Sequence, residues 1–332
     1  MKKILLAVIL SLFLITASCN SAPEEDTGEN ALLMQQFVEA ISVYARTVTD
    51  GSAVPIKPDF IIIPQNGAEL AFNDTDPLEN NLRNSYINAI DGIGIEELFY
   101  DADGNFNPDA ERLAILEILK TKLKIMVSDY VSNQTEYDDS ITRNESEGFI
   151  AFPRSHDNYN YELIPALEAG RINNLDVNTL ADAKNYLYLI STPLNSAGIA
   201  MTKNEMLDAV CATDYDLVLI DSFFEGEAFL KTEIDRLKTK QGGGKRLVIS
   251  YLNIGSAETF RYYWKPEWNS ARPAWMKKAY EGYADEYWVE YWNPEWQSII
   301  FGSNDSYLKK IIDAGFDGAY LDNVEAYYYL LN

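Results

Sequence analysis

Cysteine and histidine are nearly absent from this chain, with two of the first and one of the second in 332 residues. One cysteine, Cys19, lies in the leader, which leaves Cys211 alone and excludes a disulfide framework, so stability must come from packing. Cys211 itself falls in the apolar helical stretch Met206-Leu-Asp-Ala-Val-Cys-Ala212, a core position rather than that of a nucleophile. The lone His156, in Arg154-Ser-His-Asp157, leaves histidine-rich metal sites and serine triads without support and reads as a loop residue. Positive charge is the third shortage. Lys and Arg number 27 against 51 Asp and Glu, a net charge of -24. This argues against nucleic acid as a partner, because phosphate binding is driven by basic side chains releasing counterions. Such a surface keeps a chain soluble and attracts cationic ligands.

What the chain does have begins with a leader. Met1-Lys-Lys3, the apolar run Ile4 to Ile15 and Thr16-Ala-Ser-Cys19 form a secretory signal, too short for a membrane span. Its end resembles the lipobox of bacterial lipoproteins, in which Cys19 becomes the lipidated first residue and residues 20–30 a tether. An ordinary signal peptide with a chance cysteine is the plainer alternative. Both readings export the mature chain, and a lipid anchor would hold it in the cell envelope, periplasmic or surface-exposed, with no other membrane contact. Residues 31–332 are long enough for one large domain with a substantial core.

Ala31 to Val48 repeats apolar residues at helical spacing, with no strand before it. Three short strands are predicted in the first half: Phe60 to Pro64, Ile87 to Asp91, and Lys124 to Asp129. A further extended piece covers Phe149 to Pro153. Leu113 to Leu119 reads as a helix and Tyr130 to Gly148 as a polar surface loop. Five strands follow in the second half: Tyr186 to Ile190, Leu217 to Asp221, Leu247 to Asn253, Tyr287 to Glu290 and Gly318 to Asp322. Eight strands ending on polar residues, with helical stretches between most neighbours, predict an α/β fold, a (β/α)8 barrel in a single domain. In such a barrel the carboxyl ends of the strands face the functional side, so a carboxylate-lined mouth is expected. The chain starts on a helix lacking its strand and stops on a strand with barely a helix, so joining its ends would complete a unit.

Three blocks carry a resemblance: Tyr251-Leu-Asn-Ile-Gly-Ser-Ala-Glu258, Tyr291-Trp-Asn-Pro-Glu-Trp296 and Gly315-Phe-Asp-Gly-Ala-Tyr-Leu-Asp322 resemble glycoside hydrolase family 114. Two more, Pro58 to Gly67 and Ala89 to Tyr100, match blocks that in the family follow the Leu-Asp block; here they precede it. The resemblance therefore implies a (β/α)8 barrel in circularly permuted order, with endo-α-1,4-polygalactosaminidase-like activity and an amino-sugar-containing polysaccharide as substrate. One departure is Ile190-Ser-Thr-Pro-Leu194, where the family's first strand ends in a Tyr-Gln-Leu type segment.

Glycoside hydrolysis uses two carboxyl groups across the scissile bond. The strand-end acids are Asp221, Glu258, Asp322, Glu325, Asp91, Glu96 and Asp129. The resemblance assigns the catalytic carboxylate to Asp322, with Glu96 as first-choice partner and Glu258 next. Tyr320, Tyr251 and Tyr327 are candidates to raise a carboxyl pKa by apolar surroundings. Asp221, Tyr251, Asn253, Gln65, Asn66 and Asp91 are expected substrate contacts. All six tryptophans lie between Trp264 and Trp296, and Trp264 and Trp292 are the preferred sugar-stacking rings, the remainder being mostly core. No cofactor and no metal are expected. The run Asp101 to Asp109 lacks the glycine and glutamate positions of a calcium loop and reads as a turn capping the next helix. The competing reading is a surface glycan-binding lipoprotein that keeps the barrel without catalysis.

Overall fold

The computed structural model describes residues 27–78, 80–155 and 160–330, so the leader, Cys19 and His156 lie outside the described residues. Helix α1 (Thr27–Thr47) comes first, and its Met34, Phe37, Val38 and Ile41 form the buried stripe that the spacing predicts. Then come β1 (Ile61–Pro64), α2 (Asn84–Ala89), β2 (Gly92–Glu96), α3 (Ala110–Leu119), β3 (Lys124–Ser128), the short β4 (Tyr130–Val131), α4 (Gln134–Glu147), β5 (Ile150–Ala151) and β6 (Arg154–Ser155). The second half holds β7 (Tyr186–Leu189), α5 (Lys203–Cys211), β8 (Leu217–Asp221), a hairpin of β9 (Phe223–Phe224) and β10 (Glu227–Ala228), α6 (Lys231–Leu237) and β11 (Leu247–Asn253). It closes with β12 (Ser256–Glu258), β13 (Met276–Tyr280), β14 (Tyr283–Val289), α7 (Pro294–Ile300), α8 (Tyr307–Asp313), β15 (Gly318–Asp322) and α9 (Ala326–Tyr329).

Two parallel sheets carry the fold. The larger runs β1-β15-β11-β8-β7 and the smaller β2-β3-β5, and a parallel bridge between Gln65 and Gly94 joins them at β1 and β2. Almost every residue of these strands is buried, which is why they read as continuous apolar runs rather than alternating ones. Between β5 and β7 the contact is through side chains: the Phe152 ring lies 5.6 Å from that of Tyr186, and Arg171 donates to the Ala151 carbonyl while its own carbonyl accepts from Asn185. The last parallel strand, β15, pairs with the first, β1, and α1 packs on α2 and α9. Gly94 permits the close approach at the seam, since a Cβ there would meet the Tyr320 hydroxyl at 1.8 Å.

Three sequence expectations are corrected. Residues 84–89 are helical and the strand begins at Gly92, so Ile87 to Asp91 is not a strand; Ile87 is half-buried and Tyr86 and Ala89 face inward at helical spacing. Of the predicted strand Tyr287 to Glu290, all but Glu290 belongs to β14, which pairs antiparallel with β12 and β13 outside the parallel sheets. Its place among the parallel strands is taken by β5, the extended piece near Phe149. Finally, α4 replaces the predicted loop after Tyr130. Asn133 accepts from the Glu136 amide at its start, Gly148 takes a left-handed φ of 81° at its end, and Ser140 and Asn144 are buried beside a single apolar Ile141, so no apolar period announces it. The turn at Asp101 to Asp109 behaves as read, with Asp109 accepting from the Arg112 amide to cap α3.

Acids on the two sides of the strands do different work. Asp91, Asp216 and Asp317 immediately precede β2, β8 and β15, and each is engaged in an ion pair: Asp91 with Arg46 at 2.7 Å, Asp216 with Lys240 at 2.9 Å, and Asp317 with Lys238 at 2.8 Å. Asp91 also accepts from the Ile62 amide. These carboxylates hold the amino-terminal face, where the fold is stabilised rather than used. Asp91 is therefore not a substrate contact.

Candidate active site

Glu96 is the last residue of β2, and its carboxylate is held from three directions. Gln65 Nε2 donates to Oε2 at 2.6 Å, Arg154 pairs with Oε1 at 2.9 Å, and the Tyr161 hydroxyl donates to Oε1. Each partner is itself fixed. Gln65 accepts from the Tyr188 hydroxyl at 3.1 Å, and the Arg154 guanidinium lies between the rings of Tyr130 and Tyr161, 3.6 and 3.7 Å from their centroids. Tyr161 stacks in turn on Tyr188 at 3.7 Å. Asn66, at a left-handed φ of 58°, accepts from the Glu96 amide and sets the strand end.

Asp322 ends β15. The order β15-β1-β2 puts Asp322, Gln65 and Glu96 at neighbouring carboxyl ends, two strand spacings or roughly 10 Å across at the backbone. The Tyr251 hydroxyl, from β11, donates to Asp322 Oδ2 at 2.5 Å, and the Asn323 amide donates to Oδ1. Burial pushes the Asp322 carboxyl up to about 7; the Tyr251 hydrogen bond works against that, and the charge of Glu96 adds to it. Both acids line one cavity of about 470 Å³ at the carboxyl ends of the strands.

A second acidic wall faces the pair. Glu286, on β14, is pushed up to about 8 by burial and by the charge of Glu258, despite accepting from the Ser256 hydroxyl at 2.8 Å. Glu325 is raised to about 7 by burial, partly offset by Arg112. Glu258 is raised by burial and held down by Arg261, which grips it at 2.7 and 3.1 Å and also pairs with Asp221 at 2.6 Å. Arg261 thus occupies both carboxylates, which removes Glu258 as a free acid and makes Asp221 an anchor for the arginine.

The other predicted contacts divide. Gln65, Asn66 and Tyr251 line the cavity. Asn253 is buried instead and accepts from the amides of Gly255 and Ser256, so it shapes the turn after β11. Asp129 accepts from the amides of Leu98 and Phe99, both at 2.9 Å, and from Ser140 at 2.7 Å, fixing the loop after Glu96. Trp264 stacks on Tyr287 and sits against Trp268, lining a different cavity, and Trp292 packs edge-on to Tyr291. Neither tryptophan lines the acidic cavity. Its aromatic wall is mostly tyrosine, with Tyr130, Tyr161, Tyr188, Tyr251, Tyr280 and Tyr283 in the lining beside Phe260. Sequence reasoning missed Arg154, Tyr161, Tyr188 and Glu286; Tyr188, inside a predicted strand, was the one with a readable position.

An α/β chain with parallel sheets and paired carboxyls at the strand ends has the layout of a glycosidase. Residues 194–332 match the family model described as glycoside-hydrolase family GH114, so the resemblance read from the sequence is borne out over that stretch, in a family whose members are glycoside hydrolases. The chain is also similar to three uncharacterized proteins. One from Methanocaldococcus jannaschii is 38% identical over 134 residues, covering 38% of this chain and 35% of the relative. One from Thermotoga maritima is 32% identical over 120 residues, 36% of each. The third, from Deinococcus radiodurans, is 33% identical over 122 residues, covering 36% of this chain and 37% of the relative. The match thus spans only a little over a third of the length of these relatives.

Proposed function

We propose that this protein is an exported, endo-acting glycoside hydrolase that cleaves an amino-sugar-containing polysaccharide of the polygalactosamine kind, using Asp322 and Glu96. The observation that carries this reading is the pair itself: two strand-end carboxyls in one cavity, one pushed up to about 7 and the other ion-paired to Arg154. Asp322, pushed up to about 7, is the group suited to carry the proton, and Glu96, gripped by Arg154, is the second carboxyl of the same cavity, which is the complement a glycosidase needs. The acidic lining favours a cationic sugar. We further propose that the eight parallel strands close as a (β/α)8 barrel in permuted order. The β1–β15 pairing supports this, as does α1 filling the helix position between those strands. Cys19 is proposed as the lipid attachment point, on the leader motif alone.

The test is to incubate the purified mature chain with de-N-acetylated galactosamine polymer and count new reducing ends. Wild type should produce them, and Asp322→Asn and Glu96→Gln should not. No product from wild type would reject the reading. A glycan binder without turnover is the weaker reading, because both carboxyls and their supporting partners are intact.

A further inference from the structure

Beside the acidic cavity lies a second one of about 500 Å³, of different character. It shares Ile190, Ser191, Asp221, Phe260 and Arg261 with the acidic cavity, so the two are continuous. Where the first is lined by acids and phenols, the second is walled by Leu189, Pro193, Met206, Phe223 and Phe229 and lies at the β9–β10 hairpin. Glu225, in the turn of that hairpin at a φ of 48°, accepts from the Thr192 hydroxyl and ties the hairpin to the segment after β7. A left-handed glutamate is strained backbone, and the tie holds it across the cavity.

Phe260 stands where the two cavities meet. It is 57% exposed, a large apolar ring left in water. One face of it is covered by the Arg261 guanidinium, 4.8 Å from the ring centroid, and Arg261 is buried and locked by Glu258 and Asp221. The ring is therefore a fixed platform beside the catalytic carboxyls. Its volume puts the second cavity within the ordinary range of small-molecule sites, roughly 300–1,000 Å³.

We propose that this cavity is a binding subsite for a neighbouring unit of the same polysaccharide, with the apolar face of that sugar on Phe260. The inference rests on the glycosidase reading above and adds which feature recognises the chain beyond the cleaved bond. Continuity with the acidic cavity selects the occupant, since only a ligand already held there would reach both. Phe260 acts here as a binding residue and touches no reacting atom.

The experiment uses the mature chain carrying Asp322→Asn, so that nothing is cleaved, and titrates galactosamine oligomers of increasing length by calorimetry. Affinity should step up when the oligomer becomes long enough to leave the acidic cavity. Phe260→Ala should remove that step, weakening the long oligomer about threefold to tenfold and the shortest binding oligomer clearly less. Phe260→Trp should restore it, which separates loss of the ring from loss of folding. Equal weakening of short and long oligomers, no effect on either, or no step with length would each overturn the subsite. Because binding is read in an uncleaving variant, the subsite can fail while wild-type hydrolysis of the polymer stands, and hydrolysis can fail while length-dependent binding stands.

Discussion

Tyr251 donates its hydroxyl hydrogen to Asp322 at 2.5 Å across the β11–β15 pairing, so a strand neighbour sets the proton affinity of the proposed acid. The bond favours the ionised form and opposes the burial that raises it. Removing the bond while keeping the ring should therefore raise Asp322 further. In Tyr251→Phe the alkaline limb of kcat/KM, which in wild type should fall as pH rises through about 7, should move to higher pH. Activity at the optimum should drop about tenfold from lost positioning. A limb that stays in place would show that Asp322 is not the group being titrated.

Stability should also respond to pH, with a defined sign. Asp322, Glu325 and Glu286 are raised to about 7, about 7 and about 8 from unfolded values of 3.8, 4.5 and 4.5. Between those limits the folded chain binds more protons than the unfolded one, so stability is greatest below about pH 4 as far as these groups go. It is lost as pH rises through 7 to 8. Denaturant midpoints should fall from pH 5 to pH 8, and Glu286→Gln should flatten the slope. A midpoint that rises over this range would contradict the assignment.

Arg154 is buried, with its side chain 1% exposed against 23% for Glu96. Arg154→Met would leave Glu96 and the rings of Tyr130 and Tyr161 without their cation. Breaking such a pair costs roughly 3 kcal/mol, somewhat less here because Glu96 is part-exposed. Thermal unfolding should register it, with turnover lost as well. A variant that keeps both would make Arg154 a bystander.

Gly94→Ala should be among the most damaging single changes, because the new methyl would overlap the Tyr320 hydroxyl at 1.8 Å and its ring carbon at 2.3 Å. Overpacking of this kind costs about 1–3 kcal/mol or more. Circular dichroism melting would reveal it. By contrast, Trp264→Ala and Trp292→Ala should leave kcat/KM within about twofold, since neither ring lines the acidic cavity.

How far all this was legible in the sequence depends on what kind of signal each part leaves. Buried parallel strands leave dense β-branched runs, so six of the eight are legible; β2 begins just past the run Ile87 to Asp91, and β5 is two residues long and reads only as an extended piece. The error at Ile87 to Asp91 arose because short apolar runs look alike in helices and strands. Asp91 was consequently put on the wrong face, at the start of β2 rather than its end. Tyr287 to Glu290 has strand composition, but composition does not distinguish parallel from antiparallel pairing. Asp322 and Glu96 were reachable because one closes a recognisable block and the other lies inside another. Arg154 and Tyr161 were not, since one sits in the two-residue β6 and the other in an irregular segment, and their contacts with Glu96 span 58 and 65 residues of sequence. The choice of Trp264 and Trp292 rests on ring stacking and nearness to strand ends, whereas the folded chain lines the cavity with tyrosines and Phe260; most of the other tryptophans are core, as expected.

The central claim is that Asp322 and Glu96 act as one pair, and a double-substitution cycle tests it most directly. kcat/KM on the galactosamine polymer would be measured for wild type, Asp322→Asn, Glu96→Gln and the double variant. Groups that act as a unit are non-additive, so each single change should cost about a thousandfold and the double little more than either. Losses that multiply in the double variant, or a single variant that turns over like wild type, would contradict the account.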